Sequence, residues 1–279
     1  MICSNRASNS GRYRLARRLV KRLRLGVTSS DRHAPESPMP TRYLLPILFL
    51  AGTLLPVTRL CAQPVGIAKV GDPAGKLIVI GFMGGNVRAG NLLHREALVA
   101  QELQQRYPGG VQVAVFANHD AQSALRTVMQ LLDANRDGRP SAAEKSAARI
   151  VIYGHSWGAS ETVTLARRLN DLGVPVLLTI QVDSVEKSNE DDRSIPPNVR
   201  EAINFYQTRG LIHGRSLIAA MDPNRTTILG NYESSYREHP ISCAGFPWFA
   251  RTFMYPHIEI ENDPSVWTRI EALIRAKMD

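Results

Sequence analysis

The pentapeptide Gly154-His155-Ser156-Trp157-Gly158 constrains this chain more than any other feature. It follows the apolar run Arg149-Ile150-Val151-Ile152-Tyr153 and precedes residues 160–169, which read as a helix. A serine at a sharp strand-to-helix turn needs glycine two residues to either side, because side chains there would collide with the tight turn. Such a turn lifts the hydroxyl out of the sheet. It also sets it beside the N–H groups that open the helix, where a developing oxyanion is stabilised.

The rest of the chain supplies the sheet this turn requires. Apolar runs at 76–83, 111–116, 174–182 and 226–230 read as further strands, and residues 121–132 place Ala124, Val128, Leu131 and Leu132 at helical spacing. Residues 263–278 read as a closing helix, with Asp263 as N-cap and Pro264 in the first turn. Strands alternating with helices predict an α/β fold with a mostly parallel sheet covered by helices on both faces. Residues 184–225 and 231–256, richer in polar residues and proline, are expected to be long loops with short helices around a substrate rim.

The formal charge of +9 invites a nucleic-acid partner, but its distribution excludes one. Residues 1–42 carry ten basic residues against Asp31 and Glu36, and 43–62 add Arg59, leaving 23 basic and 23 acidic residues from 63 onward. A groove that tracks phosphates needs a surplus of Lys and Arg on the folded domain, and here there is none. Residues 1–38 read as a disordered basic leader. Residues 39–62 have the layout of a signal peptide, with the basic flank Arg42, a charge-free stretch at 43–57 and Ala62 at the expected cut. The expected location is secreted or periplasmic, with membrane contact only during export; an uncleaved anchor at 43–57 is the alternative. Cys3 and Cys61 leave with the leader, so Cys243 has no partner for a disulfide in the 63–279 domain.

A serine nucleophile needs a base, and the base needs an orienting acid. On a strand–serine–helix turn of this kind the chain order is Ser, acid, His. Asp183 ends the next strand, on the edge where Ser156 would lie; Asp222 and Glu233 are rival acids. His94 and His119 precede the serine, His155 flanks it and must point away, and His213 and His239 fall in polar loops. His257, ahead of the final helix, is the candidate base. The N–H of Trp157, with that of Phe82 or Met83 in the turn Gly81-Phe82-Met83-Gly84-Gly85, would form the oxyanion hole. Phe246, Trp248, Phe249, Phe253 and Met254 could line an acyl pocket, with core as the expectation for any one of them.

On these residues the segment from Lys76 to Met278 resembles the α/β-hydrolase fold superfamily, of the serine esterase or lipase kind. The resemblance implies a three-layer sandwich and an acyl-enzyme formed on Ser156, with His257 as base and Asp183 as orienter. The implied substrates are small-molecule or lipid esters, with no organic cofactor. Many members carry the acid one strand later, which keeps Asp222 and Glu233 in play. The superfamily also includes silent scaffolds that only bind a ligand or partner. The separation of His257 Nε2 from Ser156 Oγ discriminates between the two.

Residues 133–144 also match the twelve-residue EF-hand loop. Asp133, Asn135, Asp137, Ser141 and Glu144 supply side-chain oxygens, Arg139 its carbonyl, and Gly138 the sharp turn. The expectation is a structural calcium ion, bound weakly because the loop lacks a partner loop and carries Pro140 at its eighth position.

Overall fold

The computed structural model describes residues 76–187 and 190–279. The leader, signal and anchor expectations fall on 1–62, outside the described residues. In chain order the elements are β1 (Leu77–Phe82), α1 (Arg95–Arg106), β2 (Val111–Phe116), α2 (Ala121–Leu132), α3 (Ala142–Ser146), β3 (Ile150–His155), α4 (Trp157–Asp171) and β4 (Val176–Val182). They continue with β5 (Ser194–Ile195), β6 (Val199–Tyr206), β7 (Ala219–Ala220), β8 (Thr227–Glu233), α5 (Trp248–Phe253), α6 (Tyr255–Asn262) and α7 (Pro264–Arg275).

Six strands form one parallel sheet in the order β2-β1-β3-β4-β6-β8, and β5 pairs with β7 beside it. Alternation along each strand divides the apolar residues between two faces. Ile78, Ile80, Phe82, Ile150 and Ile152 pack with Val128 and Leu132 of α2 and with Val163 and Leu169 of α4. Leu77, Val79, Val151 and Tyr153 face the other way, against Val99 and Leu103 of α1 and Trp267, Ile270 and Ile274 of α7. The fold is the expected three-layer α/β sandwich. Asp263 caps α7 by accepting from the Ser265 N–H at 2.8 Å, and Pro264 follows it, as the sequence indicates.

Several elements differ from expectation. Helix α1 was not assigned from the sequence. Strand β6 lies inside the segment expected to be a loop, because its alternation is interrupted by Arg200, Glu201 and a buried Asn204. Strand β8 extends to Glu233, so that residue ends the strand and does not follow it.

The sheet order also contains a topological switch point. From β1 the chain moves outward to β2, then returns across β1 to reach β3, β4, β6 and β8. The connections leaving β1 and β3 therefore diverge. Open parallel sheets bind ligands at such a switch point, beyond the carboxyl ends of the strands. The turn after Phe82 and the residue after His155 both lie there.

Candidate active site

Ser156 is the single residue between β3 and α4. Its backbone sits at φ 59° and ψ −125°, a conformation that non-glycine residues adopt only where the surroundings enforce it. Its N–H donates to Val182 O at 2.9 Å, and its carbonyl accepts from the N–H groups of Ala159, Ser160 and Val185. The flanking glycines are required by close approach. A Cβ on Gly154 would come within 2.5 Å of the Gly158 carbonyl, and one on Gly158 would overlap the Phe82 carbonyl oxygen. Both neighbours are backbone and cannot swing aside. Gly158→Ala is therefore expected to destabilise the fold by about 3 kcal/mol, the upper end of overpacking costs, measured as a fall in urea midpoint at unchanged m-value.

The structure brings Ser156, His257 and Asp183 together in a buried row. The Ser156 hydroxyl lies 2.8 Å from His257 Nε2, and His257 Nδ1 lies 2.6 Å from Asp183 Oδ2. The carboxylate can only accept, so Nδ1 carries the ring proton and Nε2 presents its lone pair to the hydroxyl. His257 sits in the first turn of α6, ahead of the final helix α7. Asp183, at φ 45°, accepts three further hydrogen bonds. Its Oδ1 takes the N–H groups of Gln207 at 3.1 Å and Gly214 at 2.7 Å, and its Oδ2 takes Gln207 Nε2 at 2.8 Å. Gln207 and Gly214 went unrecognised in the sequence, because β6 places one and the loop after it the other.

Neither rival acid touches His257. Asp222 caps a turn through the Asn224 N–H, and Glu233 accepts from Thr208 Oγ1. His119 and His239 are exposed. His155 turns away from Ser156, as expected: its Nε2–H donates to the carbonyl of His257 at 3.1 Å, and the two rings lie 4.5 Å apart. Burial, reinforced by the neighbouring His257, holds the His155 imidazole well below its ordinary pKa.

Of the oxyanion candidates, Trp157 is the first residue of α4, where an N–H has no helical carbonyl to bond. Phe82 ends β1. The Met83 N–H donates to Phe116 O at 2.9 Å, so it is committed to the sheet. The next N–H, of Gly84, donates to Glu96 Oε1 at 2.8 Å. Glu96 leads into an unexpected group. Glu96 and Glu261 are buried beside His155, and His94 Nδ1 reaches Glu261 Oε1 at 2.5 Å. The sequence carries no signal for this group, because α1 and the α6 contacts are needed to assemble it.

Within 133–144 the carboxylates are engaged with the loop's own backbone. Asp133 accepts from the N–H groups of Asp137 and Gly138, and Asn135 Oδ1 from that of Asp137. Glu144 accepts from the N–H groups of Ala134, Asn135 and Ser141. With Ser141 it forms the capping box of α3. Arg139 and Ser141 are exposed. Among the apolar residues of 240–256, Phe246 is buried in a small cluster with Cys243 and Ile258. Trp248, Phe249 and Phe253 are 69, 46 and 42% exposed, so the expectation of core fails for them; Met254 is half-buried.

No family model and no curated protein matches the sequence. Solved structures with a similar trace include three enzymes. The RedJ thioesterase of prodiginine biosynthesis from Streptomyces coelicolor is 12% identical, with 78% of this chain and 98% of that one covered at a TM-score of 0.37. Human thioesterase 2 is 8% identical, with 73% and 96% covered at 0.39. An acetyl xylan esterase is 10% identical, with 74% and 99% covered at 0.35.

Proposed function

We propose that this chain is an exported serine hydrolase of carboxylic esters, acting in the manner of α/β-hydrolase esterases on small-molecule or lipid substrates. The observation that carries this reading is the unbroken path from Ser156 Oγ through His257 to Asp183, with links of 2.8 and 2.6 Å. A general base works at about 2.6–3.2 Å from the proton it takes, and a scaffold that only binds has no need of this spacing.

In the first half-reaction Ser156 Oγ attacks the ester carbonyl carbon as its proton passes to His257 Nε2. Asp183 stabilises the imidazolium without taking the proton. The Trp157 N–H at the start of α4 holds the carbonyl oxygen as it becomes an oxyanion, a donor worth about 3–4 kcal/mol. The C–O bond then breaks, and the leaving alkoxide takes the proton from Nε2. Water repeats the sequence on the acyl-enzyme, releasing the acid and restoring the serine. The exposed aromatic residues of α5, on the helix just before the one carrying His257, favour an apolar acyl group. Export, in this reading, is directed by residues 39–62.

The test is a fluorescent fluorophosphonate, which loses fluoride as Ser156 Oγ bonds to phosphorus. The folded chain is expected to label once, and Ser156→Ala to remain unlabelled. Failure of the folded wild-type chain to label overturns the proposal.

Calcium at 133–144 belongs to the same proposal as a brace ahead of β3, with affinity of about 10⁻⁴–10⁻³ M. Binding requires Glu144 to exchange its backbone hydrogen bonds for the ion. Millimolar calcium is expected to raise the thermal midpoint of wild type and not of Asp133→Asn. An unchanged wild-type midpoint would rule the ion out.

A further inference from the structure

The geometry points to a second site: His94, Glu96, His155 and Glu261 form a buried binding site for one divalent transition-metal ion of the zinc class. The four residues come from three segments. His94 and Glu96 stand at the start of α1, His155 ends β3, and Glu261 lies near the end of α6. One donor atom from each of His94, Glu96 and Glu261 lies within 4.8 Å of the others.

His155 supplies the observation that asks for a cation. Its Nε2–H is spent on the His257 carbonyl, which fixes the tautomer and leaves Nδ1 as a bare lone pair. That atom is buried and has no hydrogen-bond partner among the described residues. It faces Glu261 Oε2 at 3.5 Å and Glu96 Oε1 at 4.0 Å. A lone pair aimed at carboxylate oxygens inside a protein is repulsive, and a cation between them makes every one of these contacts attractive. Glu96 Oε2 is likewise buried without a hydrogen-bond partner. An imidazole whose remote N–H is anchored on a backbone carbonyl is the usual arrangement of a metal-ligating histidine.

The donor set selects the ion. Two imidazole nitrogens and two carboxylates suit zinc and its first-row neighbours, whereas calcium and magnesium take oxygen ligands. Tetrahedral zinc with bonds of about 2.0–2.2 Å spaces its ligands about 3.4 Å apart. His155 Nδ1 already stands at about that spacing from Glu261 Oε2, at 3.5 Å. His94 is the accessible edge, its side chain 12% exposed against 3% or less for the other three. Gly84 keeps room on the inner side, since a Cβ there would stand 2.8 Å from His155 Nδ1. The bound ion ties the start of α1 to the strand ending in the serine turn and to the helix that carries His257. It therefore acts as a brace behind the candidate site and not as a participant in it.

The test uses the full chain, stripped with a chelator and titrated with zinc by calorimetry and with cobalt by visible absorption. One equivalent of zinc is expected, with a rise in thermal midpoint and a tetrahedral cobalt spectrum. His94→Gln, at the accessible edge where folding is least at risk, is expected to weaken zinc binding at least 10-fold, and Glu261→Gln likewise. Glu144→Gln, in the calcium-like loop, leaves zinc binding unchanged. Absence of zinc binding by folded wild type overturns the proposal, as does equal binding by His94→Gln and Glu261→Gln. Fluorophosphonate labelling is read on the same samples, so loss of this site and loss of the serine chemistry are separate results.

Discussion

Ser156→Ala is expected to lower kcat for p-nitrophenyl esters by about 10⁶-fold while leaving the thermal midpoint near that of wild type. The substitution keeps the Cβ, so the strain at φ 59° is the same in both proteins. It removes one hydrogen bond, to His257 Nε2, from an imidazole still fixed by Asp183 and packed against His155. The loss is chemical. Without Oγ no acyl-enzyme forms, and what remains is water attack assisted by the Trp157 N–H and substrate binding, worth about 10³–10⁴ over the uncatalysed rate. A residual rate within 10-fold of wild type, at a matched midpoint, would show that the ester chemistry resides elsewhere.

How far this site could be read in advance depended on the range of the contacts that build it. The serine turn is local. Two glycines, an apolar run and a helix lie within residues 150–171, and each leaves a mark on the sequence. The sheet was legible where strands are buried on both faces, as in β1, β3 and β4, because such strands become continuous apolar runs. Strand β6 is buried too, yet it places Asn204 inside, where the side chain donates to the Arg215 carbonyl and to Asn231. A buried polar residue whose NH₂ is bonded by tertiary partners looks, from sequence, like a loop residue. Missing β6 hid Gln207 and with it half the hydrogen bonding of Asp183. The His94–Glu96–His155–Glu261 group was illegible for a related reason. Buried charges have the same letters as surface ones, and only α1 and α6 packed together reveal that these four meet. The aromatic residues of α5 misled in the opposite sense, since apolar residues usually mark core and here lie open to solvent.

The acid of the proposed triad is open to a direct comparison. Asp183→Asn is expected to cost about 10⁴-fold in kcat, whereas Asp222→Asn and Glu233→Gln stay within about twofold of wild type. The reason is a count of donors. Four donors converge on the Asp183 carboxylate: His257 Nδ1, the N–H groups of Gln207 and Gly214, and Gln207 Nε2. An amide offers one oxygen and one NH₂. If the oxygen faces His257, the NH₂ meets the N–H groups of Gln207 and Gly214, and leaving those buried donors unpaired costs about 1–3 kcal/mol each. If the NH₂ faces His257, it donates to Nδ1, the ring proton moves to Nε2, and that nitrogen can no longer take the serine proton. The second arrangement satisfies more backbone donors and is the one expected, so the variant should fold, keep its ester affinity and lose turnover. Fluorophosphonate labelling should slow in parallel, since it needs the same proton transfer. A loss from Glu233→Gln as large as that from Asp183→Asn would move the acid to β8, and with it the geometry that His257 adopts during turnover.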